Sequence, residues 1–264
     1  MSKISVGGTI TNALNFTNQH SSTLLRIAII PLLLAALIAL IVVTSDVVLY
    51  RTDPNNFVSS VGDMLTLIVT VPFITAWHRV TLLGRVGAEG SISYAFRFSE
   101  IVYIGYLCVV FAIPLGSVLI IALVIGGILY GGGAIGALWL FFNVLLLVAI
   151  VFSFVVWVRF SLVFPSVSVG ARMGLSQAWN ASRGNGWRIL WVFLVVSLPL
   201  FVIRTILEFV GVQGTWTIIE RLLILPVELY FLAVFISALS MIFRQITNYD
   251  ASTFSLRRIG AKRA

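Results

Sequence analysis

Six ionisable residues stand inside or at the edges of long apolar runs: Asp63, Arg204, Glu208, Glu220, Arg221 and Glu228. A charge at membrane depth is costly, so such groups face a partner or a water-filled cavity, and they mark paths for ions, protons or polar headgroups. Arg204 and Glu208 lie one helical turn apart on one face. Glu228 follows Pro226, and a proline frees a backbone carbonyl in the preceding turn. A hairpin folded about Gln213 brings Arg221 opposite the Arg204–Glu208 turn. The same fold lets Arg204 reach toward Glu228, with Asp63 approaching from another span. Two readings stay open. Either these charges neutralise one another and lock helices together, or they line an outward-facing cavity for an ion, a proton or a lipid headgroup.

No other constellation carries chemistry. The histidines are His20 and His78, and neither has Cys, Asp or Glu at metal-ligand spacing, so no metal site is expected. His78, within Trp77-His78-Arg79, reads as a membrane-interface residue. A Gly-x-Ser-x-Gly elbow, a Walker loop and a His-Glu-x-x-His helix are all missing from the sequence. The glycines between Gly126 and Gly136 lack the Lys and Ser/Thr of a nucleotide loop; Gly127 and Gly131 instead have the spacing of a close helix contact at a tight turn. The expectation is a non-enzymatic protein with no catalytic residues and no cofactor. The single cysteine, Cys108, excludes an intrachain disulfide.

The elements that must position the charged cluster are set by composition. Of the 264 residues, 60% are apolar and 10% charged, against about 25% charged in a soluble domain. With a mean hydropathy of +1.09, the chain excludes a soluble enzyme, a disordered protein and a nucleic-acid-binding domain. Six helical spans are expected: Leu24–Tyr50, Phe57–Leu83, Ile101–Tyr130, Gly133–Phe160, Trp187–Val212 and Thr217–Thr247. Together residues 1–250 form one transmembrane domain, followed by a basic cytoplasmic tail at 251–264. The first apolar run has no small-residue cleavage site after it, so it reads as a retained span and not as a signal peptide. Basic residues gather on one side, at Lys3, Arg26, Arg79, Arg85, Arg97, Arg159, Arg172, Arg183, Arg188, Arg244 and in the tail. Lys and Arg are retained in the cytoplasm, so both termini are expected there.

A threefold repeat runs through the chain. Residues 10–17, 92–99 and 175–182 share the pattern aliphatic, hydroxyl, any, Ala, bulky apolar, any, Phe/Ala, hydroxyl. Their central alanines, Ala13, Ala95 and Ala178, are 82 and 83 residues apart. Pro31, Pro114 and Pro199 follow those alanines by 18, 19 and 21 residues, and each returning span ends on a basic residue: Arg79, Arg159, Arg244. The implied fold is an all-α integral membrane protein of three pseudo-repeated hairpins (about 8–89, 90–172 and 173–250), each preceded by a short cytoplasmic interfacial helix. The copies are related about an axis along the membrane normal. In the third copy Leu175, Ala178 and Trp179 share one helical face. Arg79, Arg159, Arg172, Trp179, Arg183, Trp187 and Arg188 are therefore expected to meet lipid headgroups.

The segment from Trp157 to Arg188 holds the most distinctive residues: Trp157-Val158-Arg159-Phe160, Phe164-Pro165, Ala178-Trp179 and Ser182-Arg183-Gly184-Asn185-Gly186-Trp187-Arg188. It resembles the corresponding part of bacterial membrane proteins related to the membrane domain of glycerophosphodiester phosphodiesterases. The resemblance implies a six-span protein of the bacterial cytoplasmic (inner) membrane. It carries over no enzyme activity, because that chemistry belongs to a soluble domain this chain lacks. The function expected is an accessory, assembly or lipid-organising factor. The alternative is a small transporter or flippase-like protein with a polar outward-facing cavity around Arg204 and Glu228. Its partners would be membrane lipids and either another membrane protein or a second copy of the chain, with no nucleic acid. In a Cys108→Ser background, single cysteines at Gly184 and in the 251–264 tail should both react with an impermeant thiol reagent only from the cytoplasmic side; labelling on opposite sides would overturn the topology.

Overall fold

A computed structural model describes residues 3–49, 57–88, 97–132, 136–171, 173–210 and 216–249. The described residues are helical, with no strand among them. The helices are α1 (Val6–Gln19), α2 (Ser21–Leu49), α3 (Phe57–Ala88), α4 (Phe98–Gly132), α5 (Gly136–Phe160), α6 (Val163–Ser168), α7 (Leu175–Ala181), α8 (Gly186–Val210) and α9 (Trp216–Thr247). Six apolar segments within them are long enough to cross a membrane: Ser21–Val42, Ser60–Gly84, Phe98–Leu123, Asn143–Ser168, Gly186–Leu207 and Leu223–Thr247. Helix is the form such runs must take, because hydrocarbon offers no partner to a free backbone N–H or C=O.

The long helices close into a ring in the order α2, α3, α4, α5, α8, α9 and back to α2. In addition α3 touches α9 across the ring, which fills its centre. The packing there is dense. Phe73, Trp77, Phe193, Ile236 and Phe243 are buried, and the Phe193 and Phe235 rings lie 4.4 Å apart. Trp77 stitches the crossing by donating its indole N–H to the Ala233 carbonyl and the Ser237 hydroxyl, each at 2.9 Å. A buried indole donor needs such acceptors, and α9 supplies both within one turn.

The fourth apolar segment does not end at Phe160. It turns at Ser161 and Leu162 and continues as α6, every residue of which is buried. This short helix packs on α3, α4 and α9, plugging the end of the ring where α3 and α9 finish. An unbroken apolar run reads as one span in sequence, which hides such a plug.

The amphipathic segments at 10–17 and 175–182 fall in α1 and α7; most of the middle copy, 92–96, lies outside the described residues, and so does Arg172. Their apolar faces are covered by protein. In α1, Thr9, Ala13 and Thr17 are buried against α8 and α9, as is Ile4 just before it, while Thr11, Asn12, Asn15 and Gln19 stay exposed. The helix begins on a Ser5 cap, whose hydroxyl accepts from the Gly8 N–H at 3.3 Å. In α7 the Ala178 and Trp179 face lies on α5.

Side chains of α2 pack directly onto α3 at Gly62. A Cβ added there would collide with Val42 Cγ2 and reach Ile38 at 3.7 Å. Gly62→Ala should therefore cost about 1–3 kcal/mol, the usual penalty for overfilling a packed site. Val42→Ala in the same chain should restore most of it. Unfolding temperatures in detergent would test both, and a Gly62→Ala protein as stable as the parent would contradict this packing.

Candidate functional site

Where α2, α3, α8 and α9 meet, away from the α6 plug, they line a half-open cavity of about 400 Å³. Its apolar wall comes from Ala35, Ile38, Ala39 and Val42 of α2 with Ile224 and Leu225 of α9. Its charged groups are Asp63 on α3, Arg204 on α8 and Glu228 on α9. Gly62 gives α2 room to bring its small residues, Ala35 and Ala39, up to the same space. The threonines of α3 are satisfied locally: Thr66 donates to the Gly62 carbonyl at 2.8 Å and Thr70 to Thr66 at 2.6 Å. Polar character in the cavity is thus concentrated in the three charged groups.

Arg204 donates to Glu228 through Nε at 2.9 Å and also through Nη2, both to Oε1. The pair is open, with 59% of the arginine side chain and 23% of the glutamate side chain exposed. Of the six residues in the sequence-based cluster, Asp63, Arg204 and Glu228 come together around one volume. The side chains of Glu208, Glu220 and Arg221 lie outside what the structure describes.

A second ion pair sits at the opposite end of the ring, and sequence reasoning missed it. Glu100, in the first turn of α4, is 1% exposed. Its Oε1 accepts from the Thr75 hydroxyl at 2.9 Å and from Arg79 Nη2 at 3.0 Å. Its Oε2 accepts from the Arg97 backbone N–H and the Ser99 hydroxyl, both at 2.9 Å. Arg79 continues the network, donating through Nε to the Ser168 carbonyl of α6 at 2.7 Å and through Nη2 to Ser99 at 2.8 Å. A carboxylate so fully hydrogen-bonded, placed at the positive end of a helix, is a sound solution for a buried charge. The sequence signal was the Ser99-Glu100 pair at the start of an apolar run, which fits the acidic first turn of a helix.

The residues expected at lipid headgroups divide. Arg79 does not meet headgroups, because its guanidinium is drawn inward by Glu100 and by the α6 carbonyl. His78 is likewise not at an interface; it is fully buried, with Nδ1 2.7 Å from the Ser240 hydroxyl. Arg159 stacks 3.7 Å above the Trp179 ring and donates to the Trp179 carbonyl at 2.9 Å and to Ser182 at 3.1 Å, capping the end of α7. Arg188 donates to the Ile4 carbonyl at 2.7 Å, while Asn185 Oδ1 accepts from the Ile4 N–H at 3.2 Å. The Arg183-Gly184-Asn185 turn, with Gly184 at φ +81°, thus fastens the N-terminal segment. Arg183 and Trp187 remain exposed.

The two ion pairs should respond differently to mutation. Removing either member of the buried pair, by Arg79→Leu or Glu100→Leu, should cost about 3–5 kcal/mol, because an uncompensated charge remains inside. The double replacement should cost less than the sum of the singles. Thermal unfolding of the three proteins in detergent checks this, and additive effects would argue against a coupled pair.

Searches against family models, curated proteins and solved structures return no match to this chain, so the resemblance of 157–188 rests on its residues alone.

Proposed function

We propose that this chain is a non-enzymatic multi-pass protein of the bacterial cytoplasmic membrane, with both termini in the cytoplasm. It acts as a lipid-organising or accessory factor by holding an amphiphile in the α2–α3–α8–α9 cavity. The observation carrying this reading is the pairing of one apolar wall with three charged groups around about 400 Å³. That volume falls in the range of about 300–1,000 Å³ used by small-ligand pockets. Charges at depth in a span are kept where they have work or a partner, and Arg204 and Glu228 are open enough to serve a ligand as well as each other.

Three features support reading the fold as a threefold repeat. Arg79 and Arg159 end successive returning spans, and each donates to the last hydroxyl of the following amphipathic segment, Ser99 and Ser182. Ala13 and Ala178, at matching positions, are both 0% exposed. Each returning helix also packs on the outgoing helix of the next hairpin, α3 on α4, α5 on α8 and α9 on α2. The third corner departs from the pattern. Arg244 is exposed there, and Thr17 meets Ser237 at 3.3 Å instead. Under this reading α1 and α7 are cytoplasmic-side helices that brace the ring, with Arg183 and Trp187 left to meet headgroups.

The flippase-like reading draws on the same cavity. Dense packing around Trp77 and Phe193, together with the buried α6, closes the far end of the ring. Closure favours a holding site over a continuous path. The two are separated by filling and by transfer. Ala39→Trp should fill the cavity, and the purified variant should lose lipid that copurifies with the parent in mild detergent. Retention of that lipid would remove the support for the cavity as the site. In sealed vesicles, headgroup transfer between leaflets that disappears with Glu228→Leu, assembly intact, would favour the transporter instead.

A further inference from the structure

The cavity lining is asymmetric in charge. One guanidinium, Arg204, faces two carboxylates, Asp63 and Glu228. Arg204 is committed to Glu228 through two of its N–H groups, so among the described residues of the lining the charge left over is that of Asp63. A surplus carboxylate beside an apolar wall favours a cation. A guanidinium has five N–H donors in a planar fork and suits phosphate oxygens, and those not given to Glu228 lie in the same wall. The apolar residues of α2 and α9 then require the ligand to be greasy next to its charges. Leu223, beside Ile224 of the cavity wall, and Ile206, two residues after Arg204, are exposed at 69% and 55%, giving acyl chains an apolar surface on which to continue.

Resting on the cavity reading above, we infer that the ligand is a phospholipid with a primary-ammonium headgroup, its ammonium held by Asp63 and its phosphodiester by Arg204. Glu228 acts here as a positioning residue. It fixes the guanidinium plane through a shared oxygen and offsets the arginine charge that would otherwise repel the ammonium. An anionic headgroup lacking the ammonium would place no cation against Asp63 and would add a negative charge to a site already in surplus. A choline headgroup would keep the positive charge but lose every N–H donor, so it should bind with intermediate strength.

The test uses the full chain in nanodiscs made of equal parts phosphatidylethanolamine and phosphatidylglycerol, with native mass spectrometry reading the lipids retained after release. The parent should retain phosphatidylethanolamine in preference by about tenfold, the ratio that roughly 1.4 kcal/mol provides. Asp63→Asn should abolish the preference, and Asp63→Glu should keep most of it. Equal retention, or a preference for phosphatidylglycerol, in the parent would overturn the headgroup assignment while leaving an amphiphile-binding cavity in place. An undiminished preference in Asp63→Asn would overturn it too. Retention of neither lipid above the level of Ala39→Trp would sink both the assignment and the cavity reading beneath it. Replacing phosphatidylethanolamine with phosphatidylcholine in the parent reads the donor requirement without any variant, and an unchanged preference would remove the ammonium hydrogen bonds from the proposal.

Discussion

The buried Glu100 carboxylate is the constraint around which one end of the molecule is organised. Leaving a charge in an apolar interior costs several kcal/mol unless it is paired and hydrogen-bonded, so Thr75, Arg79, Ser99 and the Arg97 N–H must all converge on it. Those donors come from α3 and from the start of α4, and Arg79 extends the requirement to α6 through the Ser168 carbonyl. Satisfying one side chain thereby fixes how α3 and α4 are rotated and where the plug sits. The Trp77 indole, two residues from Thr75 and so on the opposite side of α3, does the corresponding work between α3 and α9.

The two ion pairs divide the labour of charge in this fold. The Arg79–Glu100 pair has side chains only 9% and 1% exposed and is surrounded by its own hydrogen bonds, so it specifies geometry and offers nothing to a ligand. At the other end, Arg204 and Glu228 rely mainly on each other and stand beside an open volume. Between the two lies a layer of aromatic and aliphatic side chains dense enough to separate their environments. Rigid packing at one end and an accessible, charged cavity at the other is the arrangement a holding site requires, because a well-ordered base limits the entropy lost when a ligand binds.

Much of this was legible from residue order, and the losses have physical causes. Six spans follow from uninterrupted apolar runs, since membrane thickness dictates their length. The neighbourhood of Arg204 and Glu228 follows from folding one hairpin, a local operation with a fixed helical rise. Arg79 was harder. Its place near a span end is visible in sequence, but whether a side chain there turns outward or inward depends on the rotation of α4, which delivers Glu100. The α1 and α7 segments show the same limit: period alone identifies an apolar face but does not say whether lipid or protein covers it. In both segments protein does.

The fastening of Ile4 by Asn185 and Arg188 joins positions 181 and 184 residues apart. During synthesis from the ribosome the first hairpin emerges long before its own N-terminal segment has anywhere to dock. Residues 3–20 must therefore wait, unsecured, until the third hairpin has been made, and closing so distant a contact is inherently slow. A turn made 181 residues after Ile4 thus fastens the segment leading into α1, so a chain cut short before Asn185 would lack that clasp.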